Sequence, residues 1–293
     1  MRCTHANHFV GISITRKRRD KALYLSQPDY VKKILKKFYM ADCHPKDLSA
    51  SPGCRLVQNV GEDPLDHEPY RETIGSLLYL TMVSGPDIAF AVGQVAQFSE
   101  KPQKHHWIAV KRIFAYLKGT QEYGIRFGPG HDCLRGYSDS DFADYLNSRR
   151  STKAFIFILN GGQLAWSSGR QPCVTLSSTE SEFVAACEAA KEAIWLKRLM
   201  KDVTPEWDKS IPLLCDNQST IQLIRNPVFH QRTKHIDVKC YFVRRRQEAE
   251  DIDVSYISTN DQLADPLTKI LPNPRFSSLR ELMGILPVPL KHD

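Results

Sequence analysis

Acidic residues placed where an apolar strand ends or a helix begins are the side chains in this sequence best suited to chemistry. Asp139 follows Leu134 and Tyr137 on a strand-like run, and alternation of side chains puts Asp139 and Asp141 on one face. Asp216 ends the run Ile211-Pro212-Leu213-Leu214-Cys215 in the same way. Two such strands side by side bring two carboxylates to one sheet edge, where like charges repel and a divalent cation stabilises them.

A long helical pattern from about residue 178 to 201 offers two glutamates, and helix geometry separates them. Ser177 and Glu180 fit a capping box, which gives Glu180 a structural task. Glu182 stands roughly 200° further round, since each residue turns the helix by about 100°. It heads a stripe of Ala186, Ala189 and Ala193, small enough for that face to approach a sheet closely. Glu182 is therefore the better partner for the strand-end acids. Asp265, before Pro266, is placed at the start of the last helix, whose apolar face is Leu263, Leu267 and Ile270. Singly, Asp139 suits a turn, and Asp216 and Asp265 suit helix caps. The ordered set Asp139, Glu182, Asp216 and Asp265, on strand, helix, strand and helix, points beyond capping.

The elements that must position these acids are legible in the patterning. Extended runs at Phe9 to Thr15 and Leu23 to Leu25 suggest a hairpin around a basic turn, and Tyr30, Ile34, Leu35 and Phe38 recur at helical spacing. Residues 44–69, with Pro45, Pro52 and Pro64 among scattered acids, form a long loop; helices follow through Ile74 to Leu80 and Trp107 to Leu117. Four glycines between Gly119 and Asp132 place a domain boundary near residue 130. Beyond it come three hairpin-linked strands and then alternating helix and strand, an α/β layout with a mixed sheet.

Composition sets the outer bounds. Of 293 residues 42% are apolar and 25% charged, which excludes global disorder and suits about two domains. No run approaches the eighteen or so apolar residues of a membrane span, and the first residues lack an apolar signal segment, so a cytoplasmic or nuclear rather than secreted protein is expected. The formal charge of +7 is compatible with a polyanionic partner. Eight cysteines, none in a Cys-x-x-Cys pair, are expected to be reduced and mostly in the core. The His5/His8 and His105/His106 pairs lack further ligands at metal spacing.

The segments GYSDSDFADY, TLSSTESEFVAACEAAKEAIWL, LLCDNQSTIQLI and STNDQLADPLTKIL, in this order from about residue 134 to 270, resemble the ribonuclease H module at the C-terminal end of a copia-type LTR retrotransposon Pol polyprotein. HFVGISITRKRRDKALYLSQPDYVKKILKKFYM, YRETIGSLLYLTMVSGPDIAFAV and HHWIAVKRIFAYLKGT resemble the end of the reverse transcriptase of the same elements. The resemblance implies a ribonuclease H-like mixed sheet with flanking helices over residues 131–293. It implies a smaller, mainly helical thumb and connection remnant of the reverse transcriptase over residues 1–130. No Asp-Asp pair occurs, so polymerase activity is not expected.

Carried over by position, the family carboxylates fall on Asp139, Glu182, Asp216 and Asp265. The activity implied is hydrolysis of the RNA strand of RNA–DNA hybrids, with two Mg²⁺ ions (Mn²⁺ as a substitute) about 4 Å apart. Asp139 is then a ligand shared by both ions, Glu182 and Asp216 ligands of one, and Asp265 a ligand of the other. Arg149, Arg150, Lys153, Ser178, Asn217, Gln218 and Ser219 are the candidate contacts to the hybrid, with Lys111, Arg112 and the run Arg244 to Arg246 as further basic candidates. The expected partners are the hybrid and the remainder of the Pol polyprotein, with no membrane. Ser258-Thr259-Asn260 stands where several ribonucleases H carry a loop histidine. A non-catalytic remnant that at most binds nucleic acid is the alternative reading.

Overall fold

The computed structural model describes residues 6–59, 61–65, 68–129, 134–143, 149–225 and 234–289, with backbone only at 234–240. Cys3, His5, Cys133 and the expected boundary at residue 130 lie outside the described residues. In chain order the strands and helices are β1 (His8–Phe9), β2 (Ile12–Lys17), β3 (Ala22–Ser26), α1 (Pro28–Lys37), α2 (Tyr70–Val83), α3 (Ala89–Ala96), α4 (Lys104–Gly119) and β4 (Tyr123–Phe127). Then follow β5 (Arg135–Asp141), β6 (Thr152–Leu159), β7 (Gly162–Arg170), α5 (Ser178–Val203), β8 (Ile211–Cys215), α6 (Gln218–Arg225), α7 (Lys234–Glu248), β9 (Ile252–Tyr256), α8 (Asn273–Leu282) and β10 (Ile285–Pro287).

The chain forms two compact units: residues 1–131 with 160–162 and 270–293, and residues 132–159 with 163–269. The first holds an antiparallel sheet in the order β1-β2-β3-β4-β10, together with α1 to α4 and α8. The β2–β3 hairpin lies where the sequence predicts it, with Ile14 opposite Leu25. β4 is a difference, because its glycines carry the composition expected of a boundary. A Cβ on Gly124 would stand 2.7 Å from the Leu25 carbonyl oxygen, so the pairing with β3 requires glycine there.

The C-terminal segment is a second difference. The sequence kept residues 270–293 with the later domain, but β10 pairs antiparallel with β4, Ile285 opposite Ile125, and residues 270–293 belong to the first unit. Nor does the last helix begin at Asp265. Asp265–Leu267 is a single 3₁₀ turn, and Pro272 stops the helix from continuing, since it lacks an amide hydrogen and disfavours helical backbone at Leu271.

The second unit has a five-stranded mixed sheet in the order β7-β6-β5-β8-β9. β5 pairs antiparallel with β6 and parallel with β8, and β8 runs parallel with β9. Three antiparallel strands followed by two parallel strands reached through helices give the ribonuclease H-like arrangement expected from the motifs. Helix α5 packs on β5 and β6 through Phe183, Ala186, Ala189, Ala190 and Ala193, all fully buried. Small side chains at the contact allow this close helix–sheet approach, and Phe157, Leu196 and Leu213 complete the core. Of the five cysteines described as free thiols, Cys187 and Cys215 are buried, Cys43 and Cys173 half-buried and Cys54 exposed, so the thiols are less uniformly in the core than expected. Among the described residues, no helix is long and apolar enough to cross a membrane.

Candidate metal centre

The centre is built at the carboxyl ends of two adjacent parallel strands. Tyr137 on β5 lies beside Leu214 on β8, and continuing that offset by two residues sets Asp139 alongside Asp216. Strand ends of this kind, in open sheets with helical crossovers, leave a crevice that side chains of different elements can reach. Asp139 is 2% exposed and Asp216 half-buried. Thr259 donates its hydroxyl hydrogen to Asp216 Oδ2 at 2.7 Å, and Thr268 does the same to Asp139 Oδ2.

Helix α5 supplies the third carboxylate, and its first turn explains which glutamate is free for the task. The Ser177 hydroxyl accepts the Glu180 amide at 3.2 Å, and Glu180 Oε2 accepts the Leu176 amide at 2.7 Å. Glu180 is thereby fixed at the cap. Glu182 faces the sheet, 6% exposed, and its carboxylate accepts the backbone amide of Ser140. Its Oε2 is buried with no hydrogen-bond partner among the described residues. Burial, and then the neighbouring charges of Asp139 and Asp216, push the Glu182 carboxyl well above the usual carboxylate range.

Glu182, Asp216 and Cys215 each offer one ligand atom within 4.8 Å of the others. Burial, followed by the charge of Glu182, pushes the Cys215 thiol far up, so it stays protonated and is a poor ligand for a hard cation. An orphaned buried carboxylate oxygen amid two further carboxylates is what a divalent cation with oxygen ligands would satisfy, so the residues present fit such an ion.

Asp265 is fully buried, on the turn that brings it towards Asp139. The bridge between them is Lys269, whose Nζ lies 2.8 Å from Asp265 Oδ1 and 3.7 Å from Asp139 Oδ2. These two carboxylates, with Asp141 beyond them, push the ammonium up to about 12 against the opposing effect of burial. The acids thus meet as two groups, Glu182 with Asp216, and Asp139 with Asp265 through Lys269. Asp139 feels both.

The candidate hybrid contacts divide as well. Arg149, Ser178, Gln218 and Ser219 are exposed and Arg150 is half-buried. Lys153 lies 3.5 Å from Glu188, and the Asn217 side chain accepts the Thr220 amide at the start of α6, so both have structural partners. Arg244 donates to the Leu223 and Ile224 carbonyls, and Arg246 pairs with Asp251. Lys269, Thr268 and Thr259 are the residues at this centre that sequence reasoning passed over. The Thr268-Lys269 step, three and four residues after Asp265, is the signal that could have found the first two, because a helical turn brings residue i together with i+3 and i+4.

No protein-family model matches the chain. It is 38% identical over 286 residues to the retrovirus-related Pol polyprotein from transposon TNT 1-94 of Nicotiana tabacum, covering 96% of this chain and 22% of that protein. Over 129 residues, 44% of the chain, it is 48% identical to the secreted RxLR effector protein 161 of Plasmopara viticola, of which that stretch is 91%. The N-terminal ribonuclease H domain of a Mycobacterium tuberculosis protein superposes with a TM-score of 0.34 and 12% identity, covering 50% of this chain and 96% of that one. The chain spans about a fifth of the length of the transposon Pol relatives it matches. Aligned over 96–97% of its length at 34–38% identity, the chain belongs to the retrovirus-related Pol polyproteins of copia-type LTR retrotransposons.

Proposed function

We propose that the second unit hydrolyses the RNA strand of RNA–DNA hybrids in a divalent-cation-dependent reaction, as the ribonuclease H part of a retrotransposon Pol polyprotein. The observation that carries this reading is Glu182: a buried carboxylate with an unpartnered oxygen, aimed at Asp139 and Asp216 across a sheet edge. Asp139, Glu182 and Asp216 would hold Mg²⁺, which when bound supplies Lewis-acid activation of water and charge neutralisation at the scissile phosphate. The chain's own residues set the stage. The Ser140 amide fixes Glu182, the Thr259 hydroxyl orients Asp216, and the Thr268 hydroxyl orients Asp139. Arg149 and Arg150 would meet phosphate charge, and the exposed Ser178, Gln218 and Ser219 the sugar edge, where the 2′-hydroxyl separates RNA from DNA. The first unit is assigned to the end of the reverse transcriptase on its motifs.

The test is cleavage of labelled RNA–DNA duplex by the full chain, in Mg²⁺ and then in chelator, beside Asp139→Asn. Cleavage that chelator stops and Asp139→Asn abolishes, with the circular dichroism spectrum unchanged, is the expected result. Undiminished turnover in Asp139→Asn rejects the assignment. Hybrid binding with no cleavage in Mg²⁺ or Mn²⁺ replaces it with the non-catalytic alternative.

A further inference from the structure

The family resemblance implies a pair of ions, with Asp265 holding one of them, yet a charged group of the chain already stands at Asp265. Lys269 Nζ is 2.8 Å from Asp265 Oδ1 and 3.7 Å from Asp139 Oδ2, bridging two carboxylates that are 0% and 2% exposed. The lysine leaves the same short turn as Asp265, whose backbone carbonyl accepts both the Thr268 and Lys269 amides at 3.1 Å. The ammonium therefore does not depend on a mobile loop for its position. The Thr268 hydroxyl holds the Asp139 oxygen that faces Lys269, so the bridge is braced from both ends.

We propose that Lys269 is the resident cation of the Asp139–Asp265 half of the centre, so that the site takes one divalent ion, on the Glu182 and Asp216 side, rather than two. This deepens the metal-dependent reading above and rests on it. A second divalent ion would have to displace an ammonium from a fully buried carboxylate and shed its own water to do so. Mg²⁺ dehydrates reluctantly, and a buried carboxylate holds a well-placed counter-charge strongly. On the other side Glu182 Oε2 has no hydrogen-bond partner among the described residues, which leaves a place for an incoming ion.

The experiment is a Mn²⁺ titration of the full chain, with free Mn²⁺ followed by electron paramagnetic resonance, for the unmodified protein, Lys269→Arg and Lys269→Met. The unmodified protein and Lys269→Arg are expected to bind one ion per chain. Lys269→Met is expected to bind two, the second at least about tenfold more tightly than any second ion in the unmodified protein. Should Lys269→Met melt early in chelator, Mn²⁺ is expected to raise its melting temperature more than it raises that of the unmodified protein. A variant that stays unfolded in excess Mn²⁺ overturns the proposal. Two ions on the unmodified protein, or one on a folded Lys269→Met, overturn it while leaving the nuclease reading intact. No ion on any variant overturns both. One ion on the unmodified protein without hybrid cleavage overturns the nuclease reading alone.

Discussion

Each unit buries an acid away from water, and the two acids have opposite company. In the first unit Asp87 accepts the hydroxyl of buried Tyr116, which in turn accepts a hydrogen bond from Arg280 at 3.2 Å. Burial pushes the Asp87 carboxyl up, and the Tyr116 hydrogen bond and the Arg280 charge pull it back down. In the second unit Glu182 is pushed up by burial, and then further by two more carboxylates. The first arrangement is an acid used as structure, with donor and counter-charge supplied by the chain. The second spends stability on mutual repulsion, which the Ser140 amide and the Lys269 charge offset only in part. Strain of that kind marks the places where a fold does chemistry.

Removing one acid from each cluster should therefore have contrasting results. Glu182→Gln takes away a like charge and an orphaned oxygen, so hybrid cleavage should fall by at least about a hundredfold while the melting temperature in chelator does not drop. A clear loss of stability without loss of cleavage breaks the contrast. Asp87→Ala should behave conversely, costing about 3 kcal/mol in denaturant unfolding because Tyr116 and Arg280 lose their buried partner. Cleavage per folded molecule should stay as it was.

Acid pH sharpens the same comparison. His106 in the first unit is buried, and its ring accepts the Gln103 amide at 3.0 Å on Nδ1, a bond that requires the neutral form. Burial, and then the neighbouring His105, lower it from 6.5 to about 4. The unfolded chain takes up this proton first on acidification. Its contribution to stability is therefore complete above pH 6.5 and lost as the pH falls towards 4. His106→Gln should flatten that part of the stability profile. For Glu182 the sign is reversed: in chelator its raised value makes stability fall as the pH climbs from the ordinary carboxylate range, and Glu182→Gln should remove that slope. The smallest effect is expected at Asn217→Ala, about 1 kcal/mol for a lost helix cap, with hybrid affinity unchanged.

Much of this was open to reading from residue order. Helical spacing alone separates Glu182 from Glu180, because a capping box commits one glutamate and about 200° of rotation delivers the other to the sheet. The alternating runs at β5, β6 and β8 place Asp139 and Asp216 at strand ends without any further information. Lys269 was legible only in part. Its i, i+4 spacing pairs it with Asp265 in a helix or a short turn alike, but its second partner, Asp139, stands on another element some 130 positions earlier. β4 escaped notice because Gly124, needed for close approach to Leu25, carries the same composition signal as a linker. The fate of residues 270–289 was hidden for a more general reason: a three-residue strand has no periodicity of its own, and its partner lies some 160 positions earlier.

That distant pairing of Ile285–Pro287 with Tyr123–Phe127 dictates an order of assembly during synthesis. The second unit, complete at Lys269, can finish folding while the first still waits for its closing strand. Until Ile285–Pro287 leaves the ribosome, Tyr123–Phe127 is a bare rim open to pairing with other chains, and shielding that rim is the task of this strand.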